Sequence, residues 1–230
     1  MFLAQFPAKG KKQRPSCIVS LPAPPTFALP PTPLQHSEKQ IMNQRMQGKR
    51  VLVTGAGTGI GRGVALEFAA EGAQVALHYS HSEHGAQEAV ATIRAAGGTA
   101  AAFRADFSQM EDVGRLAEES MGFLGGLDIL VNNAGILATE TTQNIETTTL
   151  AQWRTVQQVN VEGVFMGCRM AVGMMKGAGG SIINISSTAG IVGTPVLVAY
   201  GASKGAVRML TKGVAPVSYT HLTLPTNREV

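Results

Sequence analysis

Residues 50–61 of the chain read Arg-Val-Leu-Val-Thr-Gly-Ala-Gly-Thr-Gly-Ile-Gly. The opening apolar run of this stretch is typical of a buried parallel strand. Beyond the glycines, apolar residues return at helical spacing at Val64, Ala65, Phe68 and Ala69. A strand that turns through glycines into a helix can cradle a diphosphate, because the backbone approaches closely and the helix N-terminal amides face the anion.

The glycines follow the spacing Thr-Gly-x-x-x-Gly-x-Gly, and not the spacing Gly-x-Gly-x-x-Gly. A tight glycine turn without a ligand is the alternative to a phosphate cradle. The strand before the turn and the helix after it favour the cradle. The residues of this loop that we expect to contact a dinucleotide are Thr54, Gly55, Gly57, Thr58, Gly59, Ile60 and Gly61.

Strand-like and helix-like segments alternate along the rest of the chain. The predicted strands are Val51–Thr54, Val75–Tyr79, Ala100–Ala105, Ile129–Asn132 and Ser181–Ile185. The predicted helices are about Gly61–Glu71, Glu83–Ala96, Met110–Phe123, Leu150–Met175 and Tyr200–Val214. This alternation predicts an α/β fold with a doubly wound parallel sheet, helices on both faces, and ligands beyond the carboxyl ends of the strands.

Tyr200 and Lys204 lie one helical turn apart and share a face of the last predicted helix. An ammonium beside a phenol favours the phenolate and lowers the pKa of the tyrosine, which then exchanges a proton with an alcohol or carbonyl oxygen. The hydroxyl of Ser187, thirteen positions before Tyr200, can hold that oxygen by a hydrogen bond. Alone, this spacing also fits a helix with one buried tyrosine and one solvated lysine.

Four motifs, taken in order, resemble those of the short-chain dehydrogenase/reductase family. They are Thr54-Gly55-x-x-x-Gly59-x-Gly61, Asn132-Asn133-Ala134-Gly135, Asn160 within a helix, and Ser187 followed by Tyr200-x-x-x-Lys204. The resemblance runs from about Gly48 to Val214. It implies a Rossmann-type fold and an NAD(P)-dependent oxidoreductase that transfers hydride between a secondary alcohol and a ketone.

The resemblance also implies roles for single residues. Tyr200 matches the catalytic acid/base, and Lys204 matches the residue that lowers the pKa of that tyrosine and binds the nicotinamide ribose. Ser187 matches the residue that polarises the substrate carbonyl, with Ser186 as support. Asn160 matches a member of the proton relay that holds a water near the lysine. Without the resemblance, a buried amide that caps a helix kink is the better interpretation of Asn160.

A second group of residues matches the cofactor contacts of the family. The resemblance implies that Asn132, Ala134 and Gly135 line the cofactor and stabilise the end of the central strand. Asp106 matches the carboxylate that hydrogen-bonds the adenine ring, although an Asp at this point also suits a helix N-cap. The candidate contacts beyond the glycine loop are Ser80, Asp106, Phe107, Asn133, Ala134, Gly135, Tyr200 and Lys204.

The end of the second predicted strand favours NADP over NAD. Residues 77–82 carry no carboxylate, so nothing there repels a 2′-phosphate. Ser80 and His81 can donate hydrogen bonds to such a phosphate. NAD stays open as the alternative, because Thr58 stands where NADP-dependent relatives often carry a basic residue. Arg62 fits a phosphate contact and a solvated side chain equally well.

Composition limits the function classes. A chain of 230 residues with an ordinary hydrophobic share predicts one domain. Much of the net charge of +4 comes from basic residues among the first fourteen, so the domain lacks the charge pattern of a nucleic-acid-binding protein. No apolar run reaches the length of a membrane span. Cys17 and Cys168 lack metal-ligand spacing, which predicts a reducing, cytoplasmic location and no metal site.

The two ends of the chain differ in composition from its middle. Residues 1–45 are rich in proline and predicted to be disordered, whereas residues 46–215 are predicted to form the dinucleotide-binding domain. The last helix is expected to stop at Pro216, and residues 216–230 do not fit the family. Family members usually continue with two more strands and a substrate-covering segment. We therefore expect an incomplete domain that lacks the last strands and exposes apolar surface, so that the chain 1–230 is itself essentially inactive.

The expected substrate is a small carbonyl compound or alcohol of the kind used by 3-oxoacyl reductases or by sugar and polyol dehydrogenases. For the complete protein the resemblance implies a homo-oligomer, a dimer or tetramer, with no nucleic-acid or membrane partner. The alternative function is a dinucleotide-binding fragment without turnover, because the sequence shows no segment that would close over the nicotinamide.

Overall fold

A computed structural model describes residues 45–137, 144–193 and 196–219. The predictions for residues 1–44 and 220–230 lie outside the described residues. Five strands are present: β1 (Arg50–Val53), β2 (Gln74–Tyr79), β3 (Thr99–Arg104), β4 (Ile129–Asn132) and β5 (Ser181–Asn184). The α-helices are α1 (Gly59–Ala70), α2 (Glu83–Ala95), α3 (Met110–Leu124), α4 (Leu150–Gln157), α5 (Gly163–Met175) and α6 (Val198–Tyr219).

The five strands form one parallel sheet in the order β3-β2-β1-β4-β5. Val51 of β1 pairs with Val75 of β2 on one side and with Ile129 of β4 on the other. The chain thus winds outward from β1 in one direction through β2 and β3, and then returns to add β4 and β5 on the other side. The predicted doubly wound parallel sheet is confirmed, and its switch point lies between the carboxyl ends of β1 and β4.

Apolar side chains are buried on both faces of the sheet. Val51 and Val53 point to the face that α1 and α2 cover, whereas Leu52 points to the opposite face against α3, α5 and α6. Successive strand residues alternate between faces, so a strand covered on both sides must be apolar throughout. This double burial explains the continuous apolar run before the glycines.

The long helix predicted over Leu150–Met175 is interrupted. A capping box between Thr149 and Gln152 starts α4, and a π-helical turn at Gln158–Glu162 separates α4 from α5. Asn160 lies in this turn with a fully buried side chain. Single π-helical turns inside α-helices are rare and frequently lie at functional sites.

The prediction that the last helix stops at Pro216 is wrong, because α6 continues to Tyr219. A proline inside a helix removes one backbone hydrogen bond, yet its fixed φ angle is compatible with helical backbone. The earlier turns of α6 are held by Val207 and Ala215, which are buried. The predicted start at Tyr200 is likewise two residues late, as is the start of α1 predicted at Gly61.

Within the described ranges, the helices fall short of the length and apolar character that crossing a bilayer requires.

Candidate active site

A cavity of about 540 Å³ opens at the carboxyl ends of β1, β2, β3 and β4. This is the size range of small-molecule and cofactor sites. Of the predicted cofactor contacts, the ones that line it are Gly55, Thr58, Gly59, Ile60, Ser80, Asp106, Phe107, Asn133, Ala134 and Gly135. The predicted contacts that do not line it are Thr54, Gly57, Gly61, Tyr200 and Lys204.

The glycine loop leaves open space on the cavity side. Gly59 has a φ of +53°, and nothing lies within 4 Å of the position that a Cβ would take. At Gly61, by contrast, a Cβ would collide with the carbonyl oxygen of Gly55 and the side chain of Asn133. Gly59 therefore leaves room for a ligand beside the backbone, whereas Gly61 is needed for the close packing of the loop itself.

Thr54 and Asn133 join the glycine loop to the turn after β4. The Thr54 hydroxyl accepts hydrogen bonds from the backbone N–H groups of Asn133 and Ala134, both at 3.0 Å. The Asn133 amide donates to the carbonyl oxygens of Thr54 at 3.0 Å and Gly55 at 3.1 Å. These hydrogen bonds hold the two turns at the switch point together. Thr54 does not line the cavity, but it positions residues that do.

Asp106 and Phe107 form the wall that follows β3. The Asp106 carboxylate accepts a hydrogen bond from the backbone N–H of Ser108 at 2.9 Å, and this bond holds the pKa of Asp106 below its usual value. The alternative role of Asp106 as a helix N-cap is wrong, because the cap residue of α3 is Gln109. Asp106 instead shapes its own turn and lines the cavity.

His78 is a wall residue to which the sequence analysis assigned no role. It belongs to β2, lines the cavity, and is only 2% exposed. Burial lowers its pKa to about 4, so the ring is neutral at ordinary pH. A histidine inside an otherwise apolar strand is itself a signal, because a buried polar ring requires hydrogen-bond partners.

Lys204 lies under the tyrosine of the same helix. Its ammonium is 5.6 Å from the centre of the Tyr200 ring and donates a 2.8 Å hydrogen bond to the carbonyl oxygen of Ile185. The side chain is buried, which lowers the pKa of Lys204. The two residues therefore share one face of α6, and the alternative with a solvated lysine is wrong.

The two serines after β5 make different contacts. Ser186 donates to the backbone carbonyl oxygen of Lys204 at 2.9 Å and so ties α6 to the sheet. Ser187 accepts a hydrogen bond from the backbone N–H of Ala189 at 3.2 Å, in the short 3-10 turn Thr188–Gly190. Ser187 is half-buried, and its own hydroxyl proton remains available to a ligand.

Asn160 connects the turn after β4 with α6. Its side chain accepts from the N–H of Ile136 at 2.8 Å and donates to the Ile136 carbonyl oxygen at 2.9 Å. It also donates to the Ser203 hydroxyl at 3.0 Å, which in turn donates to the Tyr200 carbonyl oxygen at 2.7 Å. The amide does lie at a helix irregularity, yet its partners lie outside its own helix.

Gly135 joins the cavity to the tyrosine and lysine. It lines the cavity, and a Cβ at this position would lie 3.3 Å from the Asn160 amide oxygen and 3.4 Å from the Lys204 ammonium. The open cradle and the buried ammonium are therefore neighbours across one glycine. The arrangement can bind an anionic, elongated ligand and offer a proton-transferring group at one end of it.

The groups expected to meet a 2′-phosphate are only partly directed into the cavity. Ser80 and His81 line the cavity and are hydrogen-bonded to each other at 3.0 Å. Arg62 is turned to Glu88, with a 3.3 Å ion pair. The described parts of the chain contain no group of three potential metal ligands.

Comparison with protein families and curated proteins gives consistent matches. Residues 49–221 match the family model of short chain dehydrogenases. The "3beta-hydroxysteroid dehydrogenase 1" of Eggerthella lenta is 43% identical over 176 residues, covering 76% of this chain and 66% of the relative. The "NADP-dependent (R)-specific alcohol dehydrogenase" of Lentilactobacillus kefiri is 39% identical over 178 residues, covering 76% and 68%. The chain thus spans about two thirds of the length of these relatives.

Solved structures agree with these matches. A short chain dehydrogenase from Burkholderia cenocepacia in complex with NADP superposes with a TM-score of 0.73 at 36% identity, covering 78% of this chain and 73% of the other. A 7 alpha-hydroxysteroid dehydrogenase in complex with NADH and 7-oxo glycochenodeoxycholic acid superposes with a TM-score of 0.74 at 30% identity, covering 80% and 71%.

Proposed function

Because the chain belongs to the short-chain dehydrogenase family, we propose that it is an NAD(P)-dependent oxidoreductase that interconverts a secondary alcohol and a ketone. The observation that carries this proposal is the position of Gly135, which lies between the open cavity and the Lys204 ammonium. A dinucleotide in the cavity would bring its far end to the side chains that exchange a proton.

The cavity fits a dinucleotide on its own geometry. The empty space beside Gly59 is where a diphosphate can approach the backbone, and the N-terminus of α1 supplies amides to it. Asp106 is in place to accept a hydrogen bond from an adenine amino group. A bound nicotinamide supplies or accepts the hydride.

The acid/base chemistry is assigned to Tyr200, with Lys204 beside it. The Lys204 ammonium, 5.6 Å from the centre of the Tyr200 ring, is proposed to interact with the charge that develops on the phenol oxygen as its proton leaves. Ser187 is proposed to hold the substrate oxygen through its hydroxyl proton. Asn160 fixes the turn at Ile136 and supports α6 through Ser203, so it holds the two halves of the site in register.

NADP is the proposed preferred cofactor. The cavity wall after β2 offers the hydroxyl of Ser80 and the ring of His81, and it carries no carboxylate that would repel a 2′-phosphate. Two proteins similar to this chain are described with NADP, one by its name and one by its bound ligand. Another similar structure contains NADH, so NAD remains the competitor to test.

The proposed substrate class is a ketone or alcohol attached to an apolar body. Ile191 and Val192 follow Ser187 and are 65% and 66% exposed, so they present apolar surface beside the site. Such exposed apolar side chains close to a polar centre are typical of a binding surface. Relatives that are named for 3beta-hydroxysteroids or for an alcohol agree with this class.

The proposal is tested with the chain 1–230 and a panel of carbonyl compounds. Binding of NADPH and NADH is measured first by the fluorescence of the reduced nicotinamide. Oxidation of the bound dinucleotide is then followed with a steroid ketone, a small aliphatic ketone and a sugar substrate. We expect tighter binding of NADPH than of NADH, and slow turnover with the apolar ketones. If a dinucleotide binds but none of the compounds is turned over, the non-catalytic alternative is favoured.

A further inference from the structure

His78 is a polar residue in the most buried part of the sheet. It lies in β2 between strands β1 and β3, and its side chain is 2% exposed. A polar ring in such a place is costly unless each polar atom has a partner. Both ring nitrogens do have partners, one in the glycine loop and one directly after β3.

The two hydrogen bonds fix the tautomer of the ring. The Nδ1 atom lies 3.2 Å from the backbone nitrogen of Gly55, which can only donate, so Nδ1 carries no proton. The Nε2 atom lies 3.0 Å from the carbonyl oxygen of Ala105, which can only accept, so Nε2 carries the proton. The ring therefore links the start of the glycine loop to the end of β3.

The backbone of His78 holds the same loop a second time. Its carbonyl oxygen accepts a 2.7 Å hydrogen bond from the N–H of Ala56. One residue thus binds two successive amides at the start of the glycine loop. These two hydrogen bonds fix the backbone at the start of the glycine loop.

The ring also supports the opposite wall. It stacks on Phe107 with the ring centres 4.4 Å apart and the planes 3° from parallel. Phe107 lines the cavity directly after Asp106. Asp106 and Asp112 are the carboxylates whose charges act on the ring, and both favour its protonation, yet burial outweighs them and keeps it neutral.

We propose that His78 is a positioning residue for the dinucleotide. By accepting the Gly55 N–H and supporting Phe107, the neutral ring holds the glycine loop and the wall after β3 in the arrangement that receives the cofactor. This inference rests on the proposed function, because it concerns the cofactor of that site. We expect loss of the Nδ1 acceptor to weaken dinucleotide binding more than loss of the Nε2 donor.

Two substitutions separate the two hydrogen bonds. His78→Asn keeps an acceptor near the position of Nδ1 and loses the donor to Ala105. His78→Gln keeps a donor near the position of Nε2 and loses the acceptor for Gly55. Both lose the stacking on Phe107, so each serves as the matched control for the other.

The dissociation constants of NADPH and NADP are measured for the wild-type chain and both variants, together with the midpoint of thermal unfolding without ligand. We expect His78→Asn to stay within about threefold of the wild-type affinity and His78→Gln to bind about tenfold more weakly, as for one lost hydrogen bond. The midpoints of thermal unfolding of the two variants should be lowered to a similar degree. If His78 had a purely structural role, the two variants would then also bind the dinucleotide with equal affinity.

Equal affinities of the two variants would overturn the role of His78 and leave the proposed function intact. A wild-type chain that binds no dinucleotide would overturn both. The ¹⁵N resonances of the wild-type ring give a test that needs no variant. An unprotonated Nδ1 and a protonated Nε2, with the Nδ1 resonance shifted by NADP, are expected; the opposite tautomer would contradict the inference.

Discussion

Gly135 shows how much a single position decides in this site. A Cβ there would be only 3.3 Å from the Asn160 amide oxygen and 3.4 Å from the Lys204 ammonium, which is tighter than most real contacts of this kind. The glycine therefore permits the buried ammonium to lie next to the cavity. The Tyr200 ring lies close to the same ammonium, with its centre 5.6 Å away.

Replacement of the tyrosine separates the chemistry from cofactor binding. Tyr200→Phe removes the phenol proton and leaves the cavity wall unchanged, because Tyr200 does not line the cavity. We expect kcat to fall by about 10²–10⁴-fold, the usual value of general acid/base catalysis, with the NADPH dissociation constant unchanged within about threefold. Steady-state kinetics and fluorescence titration check the two parts; retention of more than about a tenth of kcat would show that another group transfers the proton.

The two open glycines of α1 provide a matched pair for the cradle. Gly59→Ala adds a methyl group toward the space reserved for the diphosphate, at a φ of +53°. Gly63→Ala adds one on the same helix, also with nothing within 4 Å, and without a positive φ. We expect Gly59→Ala to weaken NADPH by tenfold or more, and Gly63→Ala to be neutral for binding and slightly stabilising.

Calorimetric titration of both variants measures this difference. Gly61→Ala is less informative, because its methyl group would collide with the loop and would change folding as well as binding. If Gly59→Ala and Gly63→Ala bound the dinucleotide equally, the space beside Gly59 would not be the diphosphate site.

Stability should fall in mild acid because of His78. The pKa of the folded-state ring is about 4, below its unfolded value of about 6.5. Between these values the unfolded chain binds more protons, so the free energy of unfolding decreases as pH falls, by up to about 3 kcal/mol. Denaturant unfolding of the wild type and of His78→Gln at pH values across this range checks it.

The difference in unfolding free energy between the wild type and His78→Gln, followed across pH, gives the contribution of the histidine. The carboxylates Asp106 and Asp112, whose pKa values are lowered in the fold, also reduce stability in acid, and they do so in both proteins. The wild type should lose more stability than the variant on going from pH 7 to pH 4. Parallel curves would mean that the ring is not buried in its neutral form.

At the scale of elements, the sequence predicted what depends on local periodicity. The five strands and most helices were predicted because buried parallel strands are apolar throughout and helices alternate with them. The helix predicted over Leu150–Met175 did not include the π-helical turn, where Asn160 makes hydrogen bonds to Ile136, a residue distant in sequence. The continuation of α6 beyond Pro216 was missed because a proline usually ends a helix, whereas here the helical backbone runs on to Tyr219.

The same distinction applies to the site. The glycine loop, the Asn-Asn-Ala-Gly turn and the Tyr–Lys pair could be located from their spacing. Which of these residues line the cavity could not, because Thr54 and Gly61 turn toward other parts of the protein. The roles of His78 and Ser203 were also missed. Their hydrogen-bond partners, Gly55 and Asn160, are distant from them in sequence.

A buried polar network attaches α6 to the sheet. The Asn132 amide donates to the Asn184 amide oxygen at 2.8 Å, and the Asn184 amide donates to the Thr211 hydroxyl at 3.0 Å. Thr211→Val removes that acceptor at nearly constant shape. We expect the free energy of unfolding to fall by about 1 kcal/mol, because the half-buried Asn184 amide loses one hydrogen-bond partner.

Thr92→Val is the control for this substitution. The Thr92 hydroxyl bonds only within its own helix, to the carbonyl oxygen of Glu88 at 2.8 Å, and it is exposed. Its replacement should change the free energy of unfolding by less than about 0.5 kcal/mol. Equal effects of the two substitutions in denaturant unfolding would show that the network does not attach α6.

On the scale of the whole molecule, the sheet order gathers every part of the site at one edge. After β3 the chain crosses back to the other side of β1 and adds β4 there. The turns after β1 and β4 therefore become neighbours although they are far apart in sequence. The cofactor half of the site comes from the first half of the sheet and its glycine loop. The proton-transferring half comes from β5 and α6, and Gly135 lies where they meet.

The chain spans about two thirds of the length of the curated relatives it matches. Its turnover is therefore best measured by a method that also detects a slow reaction. The most direct measurement uses NADPH that carries deuterium at the transferable position of the nicotinamide, incubated with a ketone and the chain 1–230. Mass spectrometry of the alcohol then reports the label. We expect one deuterium on the former carbonyl carbon with the wild type and none above background with Tyr200→Phe. An unlabelled product, or equal labelling with both proteins, would contradict this expectation.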